Sequence, residues 1–175
     1  MASIWQCMLV LPDGRRFAGA SEGLAFEELT PVPDTEVRDT IALALMGVAA
    51  SAACGDFTAF ASAPSEMQLL GFKAREISAQ PESVRALLQE ISCIPQCAAG
   101  MSSMGPLLFA IFDGGDTSVQ RHVVEIATRY DATVQGPFSF RNTGFDISRM
   151  SRVPWNFGGG PVMLRRRPPR CSRPV

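Results

Sequence analysis

The sequence predicts an α+β fold in which helices pack on one face of a mostly antiparallel sheet. Three observations lead to this prediction. Residues 4–11 show the alternation of a half-buried strand. Helical periodicity follows between residues 34 and 91, and two apolar strands joined by a short loop come next. One more helix and two strand candidates, residues 132–138 and 143–147, complete the order of elements.

The segment after the first strand predicts a hairpin. Pro12, Asp13 and Gly14 supply turn chemistry, so residues 15–18 are expected to return beside the first strand. Residues 22–26 fit a loop or a short strand, and their composition does not decide between the two.

A long apolar helix is expected next. Asp34 or Thr35 can cap its start, and Gly55 ends it after about Cys54. Because its middle, residues 41–54, is apolar on all sides, we expect it to lie in the core. That apolar stretch is too short to span a bilayer.

Four further helical segments follow from apolar spacing and from breaker residues. Pro64 is expected to interrupt the first of them, and Gly71 weakens the second. Asp116 is expected to cap the last, which carries one apolar stripe. The segments are residues 57–62, 67–77, 82–91 and 117–130.

An uneven charge distribution separates a body from a tail. Residues 151–175 hold six arginines and no acid, and their few core-forming residues predict a largely disordered tail. Residues 1–150 then form one domain, with ten basic against seventeen acidic side chains. Such an acidic body is no general nucleic-acid binder, and the tail is more simply a solvated segment than a site for nucleic acid. The N-terminal residues do not resemble a signal segment, which predicts a cytoplasmic protein without a membrane partner.

The loop of residues 100–105 carries the most chemical information. Its two glycines relax the steric limits on φ, so backbone N–H groups can converge on an anion beside two serine hydroxyls. The alternative is a connecting turn that needs small residues and binds nothing. The candidate phosphate- or substrate-binding residues of this loop are Gly100, Met101, Ser102, Ser103 and Gly105.

Arg141 and Asn142 form a second candidate site. An arginine can hold a phosphate or carboxylate through two parallel hydrogen bonds, and an asparagine can bind hydroxyls. The alternative is a solvated arginine followed by an asparagine turn before the last strand.

Other kinds of site find little support. The spacing Gly-x-Ser-Ser-x-Gly does not match a nucleophile elbow, and the one histidine, His122, is expected to be a partly buried packing residue. The five cysteines are scattered and odd in number, so we expect ordinary buried or free thiols and no metal site. Four carboxylates have the spacing of ordinary surface residues: Glu22, Asp56, Glu66 and Glu76.

Residues 100–113, GMSSMGPLLFAIFD, resemble the third conserved loop of GHMP-superfamily proteins, where a Gly/Ser-rich turn joins two strands of the C-terminal subdomain. They are most similar to the β-ribofuranosylaminobenzene 5′-phosphate synthase family, with Met104 where that family usually has an aromatic residue. The segment Arg141-Asn142-Thr143-Gly144 resembles the basic segment before the family's last strand. The resemblance extends over residues 5–147, about half of a family member, and implies a ferredoxin-like subdomain.

The resemblance also implies an activity. That family joins phosphoribosyl pyrophosphate to an aromatic acid, with loss of pyrophosphate and carbon dioxide, in tetrahydromethanopterin biosynthesis or, in relatives, in C-nucleoside formation. By resemblance, Ser102, Ser103 and the loop amides would hold the phosphate, and Arg141 the carboxylate. No tightly bound cofactor is implied, and Mg²⁺ would accompany phosphoribosyl pyrophosphate.

The family's N-terminal half, with its phosphate loop, has no counterpart in this sequence. The chain would therefore work with a separate N-terminal half or as a homodimer, and it is not expected to be active alone. The alternative is a non-catalytic ligand- or partner-binding module, or a degenerate fragment, of the same ancestry.

Overall fold

A four-stranded antiparallel sheet forms the centre of the computed structural model, which describes residues 5–140. The strand order is β2-β3-β1-β4, so β1 pairs with both β3 and β4 although it comes first in the chain. β2 and β3 form a hairpin whose turn is the serine-bearing loop. The strands are β1 (Trp5–Leu11), β2 (Cys97–Met101), β3 (Leu108–Asp113) and β4 (Thr133–Ser139).

Six helices accompany the sheet within residues 5–140, which confirms the α+β prediction. The second is continuous over 21 residues and has π-helical geometry over Leu43–Ala49. The helices are α1 (Ala20–Leu29), α2 (Asp34–Cys54), α3 (Phe57–Met67), α4 (Gly71–Ser78), α5 (Glu82–Ser92) and α6 (Thr117–Arg129).

The core lies between the sheet and helices α5 and α6. On each helix the residues spaced three or four apart are buried, as amphipathic periodicity predicts. Asp116 caps α6 as expected, since its Oδ1 accepts hydrogen bonds from the amides of Ser118, at 2.9 Å, and Val119, at 3.4 Å. The buried helix residues are Val84, Leu87, Leu88 and Ile91 on α5 and Val119, Val123 and Ala127 on α6.

Helix α3 covers β2 from the opposite side of the sheet. The Trp5 ring packs on Phe57 and Phe60, with ring centroids 5.1 and 4.6 Å apart, whereas Met8 faces the α5–α6 side because side chains alternate along a strand. Cover on both sides explains why all five residues of β2 are buried although it is an edge strand.

The predicted N-terminal hairpin is wrong. Residues 12–18 form no strand, because β3 and β4 already occupy both edges of β1. The backbone of Arg15 is bound instead by a side chain, Gln80. Residues 22–26 are neither loop nor strand and belong to α1.

Contrary to the prediction, Pro64 does not interrupt its helix. α3 runs through it to Met67, and Pro64 is buried on the same side as Phe60 and Ala63. A proline inside a helix removes one hydrogen bond. Burial of this apolar face offsets that cost.

The prediction that α2 is a core helix is also wrong. Only 6% of its most apolar 18-residue window is buried, and Ile41, Leu45 and Met46 are 52%, 61% and 75% exposed. Its inner side meets α3 where a Cβ added to Gly47 would lie 2.5 Å from the Ala63 Cβ. The apolar stretch of residues 41–54 was judged too short to span a bilayer, but the whole helix of 21 residues is long and apolar enough to do so by length and composition alone. One such helix is weak evidence for a membrane span. Helix α2 therefore leaves an apolar face exposed on the surface of the protein.

Candidate functional site

The loop of residues 100–105 closes the β2–β3 hairpin as a tight, hydrogen-bonded turn. The amide of Ser102 donates to the Leu107 carbonyl at 2.8 Å, and the amide of Gly105 donates to the Ser102 carbonyl at 3.1 Å. Ser103 has a φ of 49° and Gly105 a φ of 75°, so the chain reverses through the left-handed region. The turn presents Ser102 and Ser103 to solvent and keeps Met101 buried.

Close packing accounts for both glycines of the loop. A Cβ at Gly100 would lie 2.5 Å from the Phe109 Cζ and 2.7 Å from the Gln68 Nε2. At Gly105 it would lie 2.6 Å from the Met101 Sδ, on a backbone conformation that side chains rarely adopt. The glycines are thus required by the fold whether or not the loop binds an anion.

Three side chains from the helical block hold the loop in place. Gln68 Oε1 accepts a hydrogen bond from the Met101 amide at 2.9 Å, and Lys73 Nζ donates to the Ser103 carbonyl at 2.7 Å. Gln80 Nε2 donates to the Met104 carbonyl at 3.1 Å. Sequence reasoning missed all three, because isolated glutamines and a lysine some 24 to 33 residues from their partners carry no motif.

The remaining polar groups of the turn point to what it can bind. The amides of Met101, Ser102 and Gly105 are engaged in the hydrogen bonds above. Within residues 5–140, neither the amides of Ser103 and Met104 nor the two serine hydroxyls have a hydrogen-bond partner, and both serines are exposed. With the Lys73 ammonium beside them, these groups can accept an anion of phosphate size. Arg141 and Asn142 lie outside the described residues.

An apolar pocket of about 380 Å³ opens next to the loop, between α2 and α4. Lys73 and Glu76 form an ion pair in its lining, with Glu76 only 3% and Lys73 25% exposed. Gln68, which accepts the hydrogen bond from the Met101 amide of the loop, also lines the pocket. The apolar part of the lining is Val32, Val37, Ile41, Met67, Leu70 and Phe72.

Glu76 is therefore not the surface carboxylate that its spacing predicted. Burial of a carboxylate is costly without a partner, and Lys73 supplies that partner. His122, expected to be partly buried, is exposed on α6. Asp56 caps α3 by accepting a hydrogen bond from the Ala59 amide at 3.0 Å. Residues 5–140 contain no group of three or more side chains that could hold a metal ion.

The cysteines in the described part of the chain are free thiols, two of them exposed. Burial raises the pKa of the Cys97 thiol to about 12 and also raises that of Cys7. Both therefore stay protonated at neutral pH and are poor nucleophiles.

The fold and the loop together define a class of protein: a small α+β body that presents a serine-bearing hairpin turn beside an apolar pocket. No family model matches the chain. Three curated proteins do, all of them β-ribofuranosylphenol 5′-phosphate synthases. The protein from Archaeoglobus fulgidus is 32% identical over 117 residues, which are 67% of this chain and 36% of that protein. Those from Methanocaldococcus jannaschii and Methanothermobacter thermautotrophicus are 32% identical over 109 residues and 28% identical over 123.

The chain is thus similar to the β-ribofuranosylphenol 5′-phosphate synthase family over about two thirds of its own length, as the loop predicted. It spans only about a third of the length of the relatives it matches. The name of these relatives contains a phenol, whereas the family named in the sequence analysis, the β-ribofuranosylaminobenzene 5′-phosphate synthases, contains an aminobenzene.

Proposed function

We propose that this chain supplies one wall of the active site of a phosphoribosyl-transferring synthase and is completed by a second polypeptide. In the reaction, the C1–oxygen bond of phosphoribosyl pyrophosphate breaks and pyrophosphate leaves with the bonding electrons. The ring carbon that bears the carboxylate of an aromatic acid forms the new C–C bond to C1. The bond from that ring carbon to the carboxylate then breaks, carbon dioxide leaves, and the bonding electrons restore the aromatic ring. The similarity to the synthases, combined with the exposed Ser102–Ser103 turn, carries this proposal.

The turn would bind the phosphate end of the donor. Two hydroxyls and two backbone amides can donate to phosphate oxygens, and Lys73 contributes a positive charge at the Ser103 carbonyl. Mg²⁺ would accompany the pyrophosphate, and Arg141 and Asn142 stay predicted substrate-binding residues. The reaction and its substrates suit a cytoplasmic enzyme.

The completing polypeptide would correspond to the N-terminal half of the relatives. The observation that supports a partner is that α2 exposes an apolar face of a kind that folded proteins in water rarely leave uncovered. Covering Ile41, Leu45 and Met46 would bury them and place a second wall near the loop. A homodimer through the same face is the competing arrangement.

Co-expression tests the activity. The chain, co-purified with a polypeptide carrying the phosphate-loop half of a relative, should release pyrophosphate from phosphoribosyl pyrophosphate, and carbon dioxide from an aromatic acid. Replacing Ser102 and Ser103 together by alanine should lower kcat/KM by about 100- to 10,000-fold, since each of the two hydrogen bonds to a charged group contributes about 1.5–3 kcal/mol. Ser83→Ala, an exposed serine on α5, is the matched control. Absence of turnover by the purified pair contradicts the proposal.

The partner surface has its own test. Leu45→Glu with Met46→Glu should abolish co-purification of the second polypeptide and leave the melting temperature of the chain unchanged, because both side chains are largely exposed. Val124→Glu on α6, where the valine is 41% exposed, should leave the complex intact. Sedimentation of the chain alone distinguishes the arrangements: a dimer that the double substitution dissociates would favour the homodimer.

A non-catalytic binding module is the second candidate. It is favoured by the packing roles of Gly100 and Gly105, which the fold requires without a ligand. Phosphate binding by the turn without turnover by the completed pair would support it.

A further inference from the structure

We propose that the pocket between α2 and α4 binds the aromatic ring of the acceptor, with the acceptor's carboxylate at Lys73. The assignment of an aromatic acid as the ligand rests on the proposed function. The location and the anchoring residue rest on the geometry of the pocket itself.

The dimensions of the pocket suit one substituted benzene ring. An apolar cavity of about 150 Å³ is enough to hold benzene, and this pocket, which is open to solvent, has a volume of about 380 Å³. Phe72 forms part of its wall and is stacked on Phe26, with ring centroids 4.9 Å apart and an interplanar angle of 14°. A ring held in this way offers a fixed apolar surface to a flat ligand.

The polar end of the pocket suits an anionic substituent. An ammonium group has three donors; Lys73 donates to the Ser103 carbonyl and forms an ion pair with the Glu76 carboxylate, and even if that pair takes up a second donor one is left. The third is available to a carboxylate. Glu76, only 3% exposed, pairs with this ammonium within the lining of the pocket. Among the described residues the lining has no further cation, so a pyrophosphate, which needs several, is a poor fit for it.

Lys73 also joins this pocket to the turn that the proposed function assigns to phosphate. The same Nζ contacts the Ser103 carbonyl, so a carboxylate bound at Lys73 lies within a few ångströms of that turn. Donor and acceptor would therefore meet at one residue, with the ring in the pocket and the phosphate at the serines.

Ligand binding tests the pocket without any turnover. The purified full chain is titrated with 4-hydroxybenzoate, an acid that becomes a phenol when it loses carbon dioxide, and binding is followed by saturation-transfer NMR. The neutral isostere 4-hydroxybenzamide should bind about 10-fold more weakly, since the charged hydrogen bond to the carboxylate is lost. Lys73→Met combined with Glu76→Gln removes the charge without leaving a buried carboxylate unpaired, and it should abolish the preference for the acid.

The control is a matched ion pair. Arg85 and Glu82 are also three residues apart on a helix and lie away from the pocket, so Arg85→Met with Glu82→Gln should leave binding unchanged. If 4-hydroxybenzoate does not bind saturably, or binds the Lys73 double variant as well as the unmodified chain, the pocket proposal is overturned. Binding that depends on Lys73, combined with no turnover by the completed pair, supports the pocket and rejects the proposed function.

Discussion

Replacing Gln80 by leucine should lower the free energy of unfolding by about 3–5 kcal/mol. Gln80 is only 4% exposed and binds two separate loops. Its Oε1 accepts a hydrogen bond from the Arg15 amide at 3.0 Å, and its Nε2 donates to the carbonyls of Arg15, at 3.0 Å, and Met104, at 3.1 Å. Leucine preserves most of the volume but leaves three backbone groups unpaired. The loss costs about 1–3 kcal/mol at the buried Met104 contact and about 1 kcal/mol at each of the two partly buried Arg15 contacts.

Urea denaturation measures this loss. Gln80→Glu keeps the size but turns an oxygen toward two carbonyl oxygens, so it should destabilise the protein as well. Gln89→Leu, at an exposed glutamine on α5, should change the free energy of unfolding by less than about 0.5 kcal/mol. A similarly small change for Gln80→Leu would show that the loops are held by other contacts.

Gln80 also illustrates which features of the structure the sequence can predict. The Asp116 cap and the apolar stripes of α5 and α6 were predicted because each depends on residues within a few positions of one another. The β2–β3 hairpin was predicted for the same reason. Gln80 binds Arg15, 65 residues away, and nothing local to either residue indicates that contact.

The pairing of β1 was mispredicted for a related reason. An alternating strand shows that one face is buried but does not show which strands lie beside it. The turn residues after β1 favoured its nearest neighbour in sequence, whereas the structure places β3 and β4 on its two edges. Of the candidate site, the loop was predicted from its composition, but the pocket and Lys73 were not, because they arise only where α2 and α4 meet.

The error over α2 has a different cause. A helix that is apolar all round is expected to be buried, and α2 buries only the side that meets α3. Periodicity cannot show whether the cover for an apolar face comes from the same chain or from another. The partner proposal therefore depends on the exposed residues Leu45 and Met46. Gly47, the next residue, lies at the contact that attaches α2 to α3.

Replacing Gly47 by valine should lower the free energy of unfolding by about 3 kcal/mol and loosen α2 before the sheet. A Cβ at this position would lie 2.5 Å from the Ala63 Cβ, which is fixed to the backbone of α3 and cannot rotate away. Forcing extra atoms into such a contact typically costs about 1–3 kcal/mol. Because Val37 and Ile41 of α2 line the pocket, the same substitution should also weaken 4-hydroxybenzoate binding.

Hydrogen exchange locates the effect. Amides of residues 34–54 should lose protection in Gly47→Val, while those of β1 and β3 keep theirs, since α2 is held mainly through α3 and not through the sheet. Ala49→Val, an exposed position in the same π-helical segment, should leave both sets unchanged. Ala63→Gly removes the opposing methyl, so combining it with Gly47→Val should recover more than about 1 kcal/mol in a double-mutant cycle. Additive losses in that cycle would mean that the close contact between Gly47 and Ala63 does not determine how α2 is held against α3.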